Sequence, residues 1–148
     1  MMVNTKHTTS KEQKALSTYV KLMRAAESIT MRVHRYLSED GLTMSQFGVL
    51  EVLYHLGPLC QKEIGKKILR SGGNITMVID NLEKRGLVLR KQNPEDRRYM
   101  IVRLTDEGNE IITKLFPRHA AIIKNEMSVL TEAEQVTFGK MCKKLGLR

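Results

Sequence analysis

The chain reads as a mainly α-helical fold, about six helices with one small β-hairpin, and three features predict it. Ser/Thr-x-x-Glu/Gln signatures precede runs in which apolar residues recur every three to four positions, the mark of capped amphipathic helices. Gly86 follows the fourth such run, where a left-handed residue ends a helix. Residues 87–91 and 99–104 are rich in β-branched and apolar side chains, and Asn93-Pro94-Glu95-Asp96 between them has turn chemistry. At 148 residues and 41% hydrophobic, the chain can bury one modest core.

The first helix is expected over residues 11–38, with Ser10 and Gln13 as its capping pair and Leu16, Tyr19, Val20, Met23, Ala26, Val33 and Leu37 as its apolar stripe. At 1.5 Å per residue it would span ~40 Å, more than one small domain can cover, so part of the stripe calls for a second subunit. Thr43 and Gln46 cap a second helix that carries Phe47, Leu50, Leu53 and Tyr54 inward and ends at Gly57-Pro58. A short third helix over residues 61–69 turns Ile64 and Ile68 inward. It breaks at Ser71-Gly72-Gly73, and a fourth helix over residues 74–85 buries Ile75, Val78, Ile79 and Leu82. After the hairpin, Thr105 caps a fifth helix with Ile111, Ile112, Leu115, Ile122, Ile123 and Met127. Thr131 and Glu134 start a sixth with Val136, Phe138, Met141 and Leu145.

Two short helices around a glycine turn, followed directly by a β-hairpin, make a winged helix-turn-helix, whose second helix enters a major groove while the hairpin follows the backbone. Charge agrees: 25 Lys and Arg against 16 acidic residues leave +9, which favours a polyanionic partner. At the hairpin tip, Arg97 and Arg98 can reach a minor groove, where A·T-rich narrowing concentrates negative potential. Adjacent side chains cannot both enter one groove, so one arginine is expected to pair with Asp96 and Arg98 is taken as the inserted one. On the fourth helix, Gly73, Asn74, Thr76, Met77, Asn81 and Lys84 lie opposite the apolar face. Asn74 suits a bidentate contact to adenine, Thr76 a base edge or phosphate, and Met77 a thymine methyl, with phosphate contact or none as the alternative for each. Arg70 before the Ser71 turn, with Lys66 and Lys67, would hold the DNA backbone or simply face water. Asp80 is awkward on such a surface, and an i,i+4 pair with Lys84 is its expected relief.

Asp96-Arg97-Arg98, then Val102, Leu104 and Thr105, together with Leu82-Glu83-Lys84-Arg85-Gly86-Leu87-Val88, resemble the wing signature and helix end of the MarR family of bacterial transcription regulators. The resemblance implies one domain over residues 1–148, with a DNA-binding lobe at about 42–104 and dimerisation helices at about 11–40 and 105–148. It also implies a homodimer on a pseudo-palindromic operator, most often a repressor. The position of Arg98 is the one that enters the minor groove, with the aspartate matching Asp96 helping to hold it. Members of the family commonly release DNA when a small aromatic or phenolic compound binds between dimer helices and DNA-binding lobe, or when a cysteine is oxidised. Met31, His34, Met44 and Phe47 are candidates to line such a pocket, against the plainer role of core packing.

Two departures stand out: Met77 where relatives often carry a basic residue, and Cys60 where they often carry a capping Ser or Thr. Cys60 at a helix start is the candidate redox residue. Cys142 lies far from it, without CxxC spacing, as suits a reducing compartment. His34, His55 and His119 have no metal-ligand spacing, and no phosphate-binding glycine loop, GxSxG or HExxH is present, so neither a metal nor an enzymatic activity is expected, nor any cofactor. No stretch reaches the ~18 apolar residues of a membrane span, and a cytoplasmic location is expected. The competing readings are a redox- or metal-responsive regulator of the same fold, and a basic protein that coats RNA or anionic lipid without sequence preference.

Overall fold

The computed structural model describes residues 8–68 and 74–146. Among them the order is α1 (Ser10–His34), α2 (Met44–Leu56), β1 (Leu59–Cys60), α3 (Gln61–Lys67), α4 (Ile75–Lys84), β2 (Val88–Gln92), β3 (Met100–Leu104), α5 (Asp106–Met127) and α6 (Glu132–Gly146). No helix among these residues is long and apolar enough to cross a membrane. The described residues form two compact units. One runs from Tyr36 to Asn125; the other joins the chain-end segments that stop at Arg35 and resume at Glu126.

The central unit has a single core. Leu37, Phe47, Leu50, Ile64, Ile79, Leu82, Val88, Val102 and Ile112 are almost wholly excluded from solvent, and each comes from a position that the apolar periodicity or the period-two alternation of a strand turns inward. The hairpin is β2 paired with β3 in antiparallel register, Val88 opposite Leu104 and Gln92 opposite Met100. A third strand, β1, pairs with the other edge of β3, Leu59 opposite Val102. Its two residues are too few for any periodicity to mark, so sequence reasoning left them as a connection.

Local chemistry sets the boundaries. Thr43 and Gln46 form the expected reciprocal cap of α2, at 3.2 and 3.0 Å. Gly86 has φ 71°, and the amides of Gly86 and Leu87 satisfy the carbonyls of Glu83 and Leu82 at the end of α4. Thr105 serves two elements: its hydroxyl donates to the Gly86 carbonyl at 2.6 Å and accepts from the Gly108 amide at 3.0 Å, opening α5. Gly108 itself lies so close to the Leu87 carbonyl that an added Cβ would overlap that backbone oxygen. The hairpin and α5 are thereby locked backbone to backbone.

In the terminal unit, α1 begins one residue earlier than the sequence reading places it. Thr9, not Ser10, is the cap: its hydroxyl accepts from the Glu12 amide at 3.3 Å while the Glu12 carboxylate accepts from the Thr9 amide at 2.6 Å. A full negative charge is better placed at the positive end of a helix than the neutral amide of Gln13, which bonds the Thr8 carbonyl instead. Glu12 accordingly has its carboxyl held below the ordinary range by those hydrogen bonds from Thr9. The helix also stops at His34 rather than near residue 38; a 3-10 turn over Arg35–Asp40 follows, and Gly41, at φ 64°, reverses the chain. Thr131 and Glu134 cap α6 as expected, and the Gln135 amide ties the preceding turn by bonding the carbonyls of Met127 and Leu130. Leu16, Tyr19 and Met23 on α1 and Val136, Phe138, Met141 and Leu145 on α6 stay exposed, and α6 buries none of its residues.

Candidate nucleic-acid interface

Helix α4 carries the strongest contrast of faces in the central unit, with Ile79 and Leu82 buried while Thr76, Met77, Asn81 and Lys84 stand in solvent. Asn74 is its N-cap: the side-chain oxygen accepts from the amides of Thr76 and Met77 at 3.1 and 3.4 Å. The expected bidentate adenine contact would draw on this same oxygen. Met77 is 59% exposed, far more than any packing role would leave it. Arg70, Ser71 and Gly73 lie outside the described residues. Lys66 and Lys67 form the exposed last turn of α3.

At the wing tip the turn is held by its own backbone, the Asn93 amide bonding the Tyr99 carbonyl at 2.8 Å and the Tyr99 amide bonding the Asp96 carbonyl at 3.1 Å. Asp96 then takes three bonds from one residue: the Arg98 amide at 3.1 Å, Nε at 3.0 Å and Nη2 at 2.8 Å. These hydrogen bonds hold the Asp96 carboxyl below its ordinary pKa and raise the Arg98 guanidinium. The division of labour between the two arginines is therefore corrected. The strut and the outward-facing cation are the same side chain, Arg98, still 81% exposed, while Arg97 is exposed and lends its carbonyl to Gln92. A bidentate clamp sets the direction of the guanidinium before any partner arrives, so less rotamer entropy is lost on contact.

Asp80 also finds a different partner. Arg90, on β2, places Nη2 2.5 Å from Asp80, and its Nε and backbone amide both lie 3.1 Å from the Glu83 carboxylate. Lys84 could offer only a solvated surface pair, whereas the tight turn at Gly86 lays β2 back along α4 and brings Arg90 between two carboxylates. One cation thus neutralises both acidic groups of α4 and ties that helix to the wing. A second tie runs from α3, where the Gln61 amide donates to the Thr76 hydroxyl at 2.9 Å. Neither Arg90 nor Gln61 carries a signal in the sequence, because each depends on which elements come side by side.

Residues 42–100 match the model of the MarR family. The HTH-type transcriptional regulator MhqR of Bacillus subtilis is 39% identical over 135 residues, covering 91% of this chain and 93% of that protein. This chain belongs to the MarR family. A mutant MarR from Escherichia coli, solved with operator DNA, superposes with a TM-score of 0.78 at 24% identity over 89% of this chain and 95% of its own. Bordetella bronchiseptica BpsR, whose DNA binding is regulated by 6-hydroxynicotinic acid, superposes with a TM-score of 0.76 at 26% identity, covering 84% of this chain and 89% of its own. The winged helix-turn-helix and the role in transcription regulation expected from the sequence are those of this MarR-family protein.

The residues named for an inducer site are distributed over both units. Met31 is exposed on α1, and His34 bonds the Thr30 carbonyl through Nδ1 at 2.9 Å. Met44 is half-buried at the start of α2, and Phe47 is 1% exposed, set against His119 with ring centroids 4.5 Å apart. Phe47 is thus a core residue of the MarR-type lobe. His119 and Tyr36 complete an aromatic group that sequence reasoning missed, with Arg118 lying over the Tyr36 ring at 4.8 Å and also paired with Glu39. Cys60 is the N-cap residue of α3 and is partly exposed, with the Glu63 carboxylate accepting from its amide at 3.3 Å. Cys142 is a free, partly exposed thiol on α6. Among the described residues no group of His, Cys, Asp or Glu has a metal-binding arrangement.

Proposed function

We propose that the protein binds a pseudo-palindromic operator in the cytoplasm as a homodimer and represses transcription, with α4 in the major groove and Arg98 in the flanking minor groove. The observation that carries this reading is the wing tip itself. An arginine that is four-fifths exposed yet clamped by two oxygens of Asp96 has no internal task that would require so much exposure. The exposed face of α4, formed by Thr76, Met77, Asn81 and Lys84, belongs to the same compact unit. Support for a homodimer comes from the apolar residues of α1 and α6 that one chain leaves in solvent, which a symmetric partner would cover. The MarR complex with operator DNA supports the partner, and BpsR, whose DNA binding is regulated by 6-hydroxynicotinic acid, supports control by a small aromatic compound.

Selection of genomic fragments followed by footprinting tests the reading. The expected result is protection of an inverted repeat with half-sites about one helical turn apart, ~10 bp, bound at least ~10³-fold more tightly than random DNA at physiological salt. Binding with no preferred site would establish the coating protein instead. Screening the bound operator with phenols, quinones, oxidants and metals then identifies the releasing signal.

A further inference from the structure

Gln61 opens α3 and Thr76 lies in the first turn of α4, fifteen positions later, and the two side chains meet through one hydrogen bond of 2.9 Å. A threonine hydroxyl has one proton and two acceptor lone pairs. The Gln61 contact is made by Nε2, which can only donate, so it occupies a lone pair and leaves the hydroxyl proton to be given elsewhere. Thr76 is exposed, next to Met77, on the face of α4 turned away from Ile79 and Leu82. An unheld hydroxyl would rotate to suit whatever it met. One held by an amide donor has its polarity set in advance.

We propose that Gln61 is a positioning residue, which fixes Thr76 as a hydrogen-bond donor so that this point of the interface takes an acceptor of the duplex. The inference rests on α4 facing DNA as proposed above. The acceptor is either a phosphate oxygen or a base-edge acceptor such as a purine N7, guanine O6 or thymine O4, whereas the amino groups of adenine and cytosine are disfavoured.

The test is a double-mutant cycle on the footprinted operator, using Gln61→Glu and Thr76→Val. A carboxylate at position 61 accepts the hydroxyl proton and reverses the polarity of Thr76; its added negative charge weakens DNA binding in either background. The polarity effect, however, exists only where Thr76 is present. Gln61→Glu should therefore cost about threefold to tenfold more in the wild-type background than in the Thr76→Val background, the worth of one net hydrogen bond. Thermal melting of each variant confirms that the fold persists, since Thr76 is exposed and Gln61 half-exposed.

Two further arms identify the acceptor. If it is a base, both variants relax discrimination at one base pair of the half-site. If it is a phosphate, a methylphosphonate at one linkage removes the wild-type advantage on every sequence, and Thr76→Val leaves the salt slope on unmodified DNA unchanged because a neutral donor releases no counterion. Equal penalties for Gln61→Glu in the two backgrounds, with the wild type still footprinting its operator, would overturn the proposal while sparing the functional reading. A wild-type protein that protects no site would overturn both.

Discussion

Replacing Arg90 by methionine removes the cation that faces both Asp80 and Glu83 while keeping the length and apolar stem of the side chain. Two effects follow, and they are separable. The first is on stability. Arg90 is 22% exposed and makes contacts of 2.5 and 3.1 Å, but its partners are 40% and 38% exposed, so water resolvates their carboxylates once the guanidinium is gone. That places the loss below the cost of breaking a buried pair, at about 1–2 kcal/mol. For a chain of this size the melting temperature should fall by roughly 2–8 °C. The second effect is on DNA. With α4 in a groove, an unneutralised carboxylate roughly 8 Å from a phosphate costs about 0.5 kcal/mol at the dielectric of water and about 2 kcal/mol at the effective value of a protein surface. Operator affinity should therefore fall roughly twofold to thirtyfold. Because this repulsion is screened, the penalty should shrink as salt is raised. Adding Asp80→Asn and Glu83→Gln should restore affinity. Calorimetry and salt-controlled titration provide the two readouts; an Arg90→Met protein that melts and binds like the wild type would refute the neutralising role.

Arg98→Ala should keep fold and dimer while weakening operator binding roughly tenfold to a hundredfold and reducing the salt slope by about one, read by titration at several salt concentrations. Gly108→Ala should destabilise the central unit by about 2–3 kcal/mol or more in urea unfolding, since the new methyl meets the Leu87 carbonyl and not a movable side chain. Burial pushes the Tyr36 phenol up to about 12, with Arg118 opposing and Glu51 and Asp40 adding to the rise. Its folded-state value thus lies above the unfolded one near 10, so its contribution is complete below pH ~10 and is lost as pH climbs toward 12, in all about 2–3 kcal/mol. Urea midpoints at pH 9.5 and 11.5 should show that extra decline in the wild type and not in Tyr36→Phe. Deleting the residues before Ala26 removes Leu16, Tyr19 and Met23 and should yield monomeric or unstable protein by light scattering; a stable dimer would count against the role given to the terminal helices.

Elements were legible wherever their cause is local. The Thr43-x-x-Gln46 and Thr131-x-x-Glu134 boxes, the left-handed Gly86 and the Asn93–Asp96 turn each act within a few residues, and each appears where the sequence places it. The one-residue error at α1 arose between two competing local pairs, Thr9 with Glu12 and Ser10 with Gln13, and the charged one prevailed. The wing cation was legible too, but its geometry was not. Read from the residues alone, Asp96 could have paired with either neighbouring arginine; the family resemblance pointed to Arg98, and the path of the turn makes that pairing.

What the sequence determined by itself is the inventory: six helices and a hairpin, a basic wing tip, a polar face on α4, and apolar stripes at both chain ends that one chain leaves uncovered. Each follows from the order of residues along a segment, because capping, turn propensity and hydrophobic period act at short range. What only the tertiary structure decided is who meets whom across segments. Arg90 between Asp80 and Glu83, Gln61 on Thr76, the strand β1 beside β3, Gly108 against Leu87 and Phe47 against His119 all join residues from different elements. Such pairings depend on how the chain returns upon itself, which core packing imposes and no local pattern encodes.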